Sequence, residues 1–224
     1  MHHALRHFIT GITLALTTSL SFAQAYPTKP IRFLVPSPAG GSPDILARIV
    51  GARLSEQMKQ QVTIDNRGGA SGIIGVEIVK NAAPDGYTLL LATATNFAAL
   101  PVLKSKLPYD VDRDFTHLSR IAWVANVATA NAGLGVNSVA DLVKLAKDKP
   151  GQLNFGSAGN GTPAHLAGAM FNVLAGVKTT HIPYKGAALA LSDMMGGQIQ
   201  FLITSPLVAI PHGRAGRIKV LATT

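Results

Sequence analysis

The stretch Val35–Val50, "VPSPAGGSPDILARIV", joins an apolar run to a helical pattern through a turn with three prolines and two glycines. Before it, "PIRFLV" reads as a buried strand; after Ser42 the spacing of apolar residues reads as a helix. A junction of this kind is either a plain turn or a place where unpaired helix N–H groups face something negative. One copy does not separate the two readings, so the rest of the chain must.

The same order recurs along the chain. "QQVTID" leads through "NRGGASG" to "IIGVEIVKNAA", and "GYTLLLAT" follows. "LSRIAWVANVATA" reads as a long strand, and "SVADLVKLAKDK" as a helix with Ser138 and Asp141 in a capping box. "QLNFGS" gives way to "TPAHLAGAMFNVLAG", "KTTHIPY" to "AALALSDMMGG", "QIQFLIT" to "PLVAIPHGRAG", and "IKVLATT" ends the sequence. Repeated strand–loop–helix units predict an α/β fold with mainly parallel sheets and helices on both faces. A seam near residues 93–117, which includes "TATNFAALPVLKSKLPYDVDRDF", breaks the alternation and reads as a connection between two lobes. The expected division is a signal peptide over 1–25, a first lobe over 26–100 and a second over 101–218. Residues 219–224 would begin a return to the first lobe.

Composition narrows the function. Of 224 residues 47% are hydrophobic and 14% charged, enough for a sizeable core and too apolar for disorder. The start is weakly basic, "FITGITLALTTSLSFA" is apolar, and Ala23-Gln24-Ala25 has the small-x-small pattern of a signal peptidase site. Cleavage after Ala25 into the periplasm is expected. No cysteine is present, so neither disulfides nor thiolate chemistry enter. Cleavage removes Arg6 alone among the formal charges, taking the net charge from +9 to +8. The basic residues are scattered rather than interleaved with aromatics, which disfavours nucleic acid and suits a general attraction for anions.

The Gly-, Ser- and Thr-rich segments all follow strands. "PSPAGGSPD", "ATATN", "GSAGNGTPAH", "YKG" and "TSP" each stand at a strand's C-terminal end, where open parallel sheets bind ligands. Any one of them is explained as an ordinary capped turn. The loops at Gly40 and Gly159 together, facing one cleft, read as a binding site of backbone N–H donors, with hydroxyls from Ser157, Thr162, Thr93, Thr95 and Ser205. Asp44 sits in a first helical turn, where complementing the dipole competes with contacting a ligand amine.

Other chemistry has thin support. Gly159-Asn160-Gly161-Thr162-Pro163-Ala164 fits a loose dinucleotide fingerprint, but the acidic residue expected about 20 positions later is missing. Ser157 is outside a nucleophile elbow, and no Asp accompanies a His base. His165 reads as a first-turn residue facing the site and His181 as structural; neither belongs to a metal set. No cofactor, metal or catalytic residue is expected.

"YPTKPIRFLVPSPAGGSPDILAR", "DNRGGASGIIG", "PDGYTLLLAT", "LPYDVDRDF", "GSAGNGTPAHLAGAMF" and "HIPYKGAALALSDMMGGQI" resemble, in order, the substrate receptors of tripartite tricarboxylate transporters, the Bug family of periplasmic solute-binding proteins. The resemblance implies a two-lobed, Venus-flytrap fold closing on a small organic carboxylate: a di- or tricarboxylate, an amino acid or an aromatic acid. Carried over, the ligand residues are Pro36, Ser37, Ala39, Gly40, Gly41 and Asp44, then Ser157, Ala158, Gly159, Asn160, Gly161, Thr162 and His165. Thr93 and Ser205 join from their strand-end positions. The resemblance also implies a membrane permease as partner, with a sensor kinase as an alternative. Three departures stand out: Ser37 and Ala39 in the first loop, Ala169 where the family favours an acid, and an end at Thr224 short of the family's length. The last suggests an incomplete first lobe with exposed apolar surface, and a non-functional remnant as an alternative reading. An α/β enzyme acting on a carboxylate is the remaining one.

Overall fold

The structure, a computed structural model, describes residues 26–223. The proposed signal peptide and its cleavage site lie outside the described residues.

The first sheet has three strands in the order β2-β1-β3, all parallel: β1 (Ile31–Val35), β2 (Val62–Asn66) and β3 (Thr88–Leu90). β1 is central and buried almost throughout, as its unbroken apolar sequence requires. Phe33 lies opposite Ile64 on one side and Leu89 on the other. Helix α1 (Ser42–Met58) crosses from β1 to β2 and buries Ala47 with Ile31, Phe33, Val35 and Val62. Helix α2 (Ile73–Lys80) follows β2.

The region expected to be an irregular connection contains helix. A wide turn at Thr95–Ala99 runs into α3 (Leu100–Leu103). Pro101 falls in the first turn of α3, where its missing N–H leaves no bond unmade, so it starts the helix instead of breaking it. Lys80 ties the rest of the connection to α2, donating to Pro108 O at 2.7 Å and pairing with Asp114 at 3.1 Å.

The second sheet has five strands in the order β6-β5-β7-β4-β8. They are β4 (Val127–Asn131), β5 (Asn154–Ser157), β6 (Thr180–Pro183), β7 (Phe201–Thr204) and β8 (Ile218–Thr223). β5 runs parallel to β6 and β7, while β4 is antiparallel to β7 and β8. Helices α4 (Val139–Asp148) and α5 (Pro163–Ala175) cover one face; α6 (Ala187–Met195) and α7 (Pro206–Arg214) cover the other. Ser138 caps α4, its Oγ accepting from Asp141 N at 3.1 Å. Gly168 of α5 rides directly on Phe155, where an added Cβ would lie 2.1 Å from the ring.

Two expectations are corrected. Of the run "LSRIAWVANVATA" only its last four residues, 127–130, are strand, the start of β4. Leu118 and Trp123 are 76% and 82% exposed, because no described strand lies beside residues 118–124 to pair them. Residues 219–223 do not return toward the first sheet. They lie in β8, and Lys219, Val220, Ala222 and Thr223 pair with β4.

Candidate functional site

Every Gly-rich loop leaves the C-terminal end of a parallel strand, which brings them to the facing edges of the two sheets. The first runs from Pro36 to Gly41 and opens α1, with Pro43 in the first turn. Asp44, 4% exposed, folds this loop back on itself. Its Oδ2 accepts from Gly40 N at 2.9 Å and from Arg48 Nε at 3.1 Å, and its Oδ1 lies 3.0 Å from the same guanidinium. Burial pushes the Asp44 carboxyl up, but Arg48, the Gly40 N–H and Asn66 together hold it below the usual carboxylate range. Asp44 therefore shapes the loop from within. Ser37 Oγ is buried and has no hydrogen-bond partner among the described residues.

A second segment braces the first loop. Ala70, Ser71 and Gly72 are all left-handed, at φ 49°, 58° and 91°. For Gly72 the reason is spatial: a Cβ there would lie 2.6 Å from both Pro36 O and Asn96 Nδ2. Asn96, 1% exposed, ties the segment down, donating from Nδ2 to Ser71 O at 2.7 Å and accepting at Oδ1 from Thr93 Oγ1 at 2.6 Å. Tyr109 adds a bond from its hydroxyl to Asn96 O at 2.8 Å. Sequence reasoning selected Thr93 and passed over Ser71 and Asn96. The one signal was the run "NRGGASG", whose glycines mark a close backbone approach.

The loop at Ser157 is held by neutral groups. Ser157 is fully enclosed; its Oγ accepts from Gly159 N at 3.1 Å, contacts Gly159 O at 3.1 Å and lies 2.7 Å from His181 Nε2. Thr162 caps α5, accepting from His165 N at 3.3 Å while donating to Gly159 O at 2.8 Å. His165 Nδ1 accepts from Gly161 N at 3.2 Å, which places any proton of the neutral ring on Nε2. The His165 and His181 rings are in contact, tilted by 36° with centroids 4.2 Å apart. Burial, and then the neighbouring His165, lower the His181 pKa to about 4, so that ring is neutral at neutral pH. Ser205 caps α7, its Oγ accepting from Leu207 N at 3.1 Å.

Each loop is met by a segment of the other lobe. A Cβ on Gly186 would lie 3.4 Å from Pro38, and one on Gly40 would lie 3.7 Å from Ala188. On the other side Ser71 Oγ donates to Asn160 O at 3.1 Å, and Gly161 sits against Leu100 and Leu103. Ala39, Gly40 and Asn160 are exposed at this edge, whereas Pro36, Ser157, Gly159 and Ser205 are buried.

Four of the hydroxyls and carboxylates in these loops, at Thr93, Ser157, Thr162 and Asp44, are spent on the loops themselves. Ser37 Oγ is the buried hydroxyl left without a partner among the described residues, and His165 is tied to Gly161 N through Nδ1. In the short Ser157–His181 contact the hydroxyl is enclosed, and no carboxylate among the described residues is hydrogen-bonded to the imidazole. Among the described residues no three His, Cys, Asp or Glu side chains gather as metal ligands.

Known proteins are similar to this chain in sequence and fold. Residues 46–224 match the tripartite tricarboxylate transporter family receptor model. A Pseudomonas sp. (strain P51) protein of the tcbD-tcbE intergenic region is 38% identical over 98% of this chain and 66% of its own. BugT of Bordetella pertussis is 35% identical over 89% of this chain and 62% of its own. The chain thus spans about two thirds of the length of these curated relatives. Among solved structures, Rpa4515 of R. palustris with adipate is 37% identical, with a TM-score of 0.87 over 89% of this chain and 67% of that one. MatC of Rhodopseudomonas palustris with bound malate is 27% identical, with a TM-score of 0.81 over 88% and 67%.

Proposed function

Since the chain belongs to the tripartite tricarboxylate transporter receptor family, we propose that it is a periplasmic receptor that closes two lobes on a small organic carboxylate. It hands that solute to a membrane permease of the tripartite tricarboxylate type rather than transforming it. The observation that carries this reading is the meeting of the lobes across main-chain loops, bridged by the bond from Ser71 Oγ to Asn160 O. Helix N-termini supply N–H donors and partial positive charge, which favour a carboxylate without a fixed cation. Adipate with one structural relative and malate with another support the same solute class. The Pro36–Gly41 loop forms one jaw and the Ser157–His165 segment the other. The enclosed Ser157, and His181 without a carboxylate behind it, speak against hydrolytic chemistry.

Calorimetry of the purified protein against mono-, di- and tricarboxylates, amino acids and aromatic acids tests the reading, with each solute analysed afterwards. Saturable binding of at least one acid, recovered unchanged, is expected. Conversion of the bound acid to a product, or no binding across the panel, overturns it.

A further inference from the structure

Beside the first loop lies a cavity of about 310 Å³, where the N-terminal turn of α1 meets α6 and α7. Gly40 stands at its border with the loop. Ile45 of α1, Ala188 and Leu191 of α6, and Leu207 and His212 of α7 line it further in. Apart from the imidazole of His212 its side chains are apolar, and no Lys, Arg, Asp or Glu lines it. Both lobes contribute walls, so the space is complete only when they are together. Its volume corresponds to roughly ten waters at ~30 Å³ each, which an apolar group would displace with gain.

The polar content of the cavity is limited. His212 Nδ1 is buried with no hydrogen-bond partner among the described residues. Burial, and then the nearby Arg217, hold that imidazole below the ordinary histidine value, so it is uncharged at neutral pH. A second carboxylate entering here would lose its hydration and find no cation in the lining. A ring or alkyl chain would meet Ile45, Leu191 and Leu207. One neutral polar substituent would find His212.

We propose that this cavity receives the non-carboxylate end of the ligand, whose carboxylate lies at the adjoining Gly40 loop, and that the ligand is a monocarboxylate with an aromatic ring or medium-length alkyl chain. This rests on the reading of the chain as a carboxylate receptor and narrows its solute class.

The test is calorimetry with benzoate, octanoate, malate and citrate on the wild type and on Ala188→Phe, which fills the cavity from α6. Leu207→Trp fills it from α7 and serves if the first variant fails to melt cooperatively. Benzoate or octanoate should bind at least tenfold more tightly than citrate and malate. Either filling variant should weaken that binding at least tenfold. Tighter binding of citrate or malate, or no effect of filling on the apolar acids, overturns the cavity assignment and leaves the receptor reading standing. Failure of all four acids, together with adipate, removes the receptor reading itself.

Discussion

The Pro36–Asp44 and Ser157–His165 segments solve one problem with different chemistry. Each turns a buried strand into a helix, places a proline in the first turn and exposes main chain at the sheet edge. The first is held by charge: Asp44 grips the Gly40 N–H and the Arg48 guanidinium. The second is held without a charged pair: the Ser157 hydroxyl meets the neutral His181 ring, and the Thr162 hydroxyl accepts from the His165 main-chain N–H. In both, most side-chain donors and acceptors are consumed in fixing the loop, Ser37 Oγ being the exception, and under the proposed function the backbone is what would meet a ligand. On the proposed function, a site built this way would recognise a carboxylate by shape and dipole, and take specificity from what surrounds it.

This contrast can be broken at its support. Gly72→Ala should cost about 3 kcal/mol or more, since φ 91° and contacts of 2.6 Å leave no room for a Cβ. Urea unfolding measures it, and a loss under about 1 kcal/mol would show that the first loop does not depend on its brace.

Acid should separate the loops next. The His181 pKa is depressed to about 4 from 6.5, so the unfolded chain takes up the proton first. Its contribution is complete above pH 6.5 and falls as pH drops toward 4, by at most ~1.4 kcal/mol per unit. His181→Asn should flatten that stretch of the stability–pH curve; an unchanged slope would place the titration elsewhere.

Asp44→Ala should cost about 2 kcal/mol at neutral pH by stranding the Gly40 N–H and Arg48. The depressed Asp44 carboxyl makes its contribution above the ordinary aspartate value of 3.8 and loses it as pH falls through the folded value below that. Wild type and variant should therefore converge in strong acid, while their difference persists from pH 4 to 6.5. A gap that closed in the histidine range would erase the distinction between the two loops.

The smallest effect belongs to Thr162→Val, which removes the α5 cap at about 1 kcal/mol by thermal melting. It should leave the first loop's acid response unchanged; a shift in that response would mean the two jaws are not held independently.

The sequence carried the order of strands and helices because buried parallel strands are unbroken apolar runs and their loops are rich in Gly, Ser and Pro. It also placed the cap at Ser138, where residue type and spacing are local. What it hid depends on partners. Leu118–Val124 has the composition of a strand, but a strand exists only beside another, and none of the described strands adjoins it. β8 lies in the second sheet because β4 offers it an edge, a fact of strand order that no local pattern encodes. Residues 93–117 read only as a connection because the place of Pro101 in a first helical turn was not visible. Ser71 and Asn96 carry no motif; their importance comes from a left-handed turn that brings residues 25 positions apart into contact.

The most direct test of the two-jaw site is amide NMR during titration with octanoate, or with adipate if octanoate does not bind. The backbone amides of Gly40–Ser42 and of Gly159–Thr162 should shift together and saturate at the same ligand concentration. Shifts confined to one of the two loops, or none at saturation, would contradict a carboxylate held between the lobes.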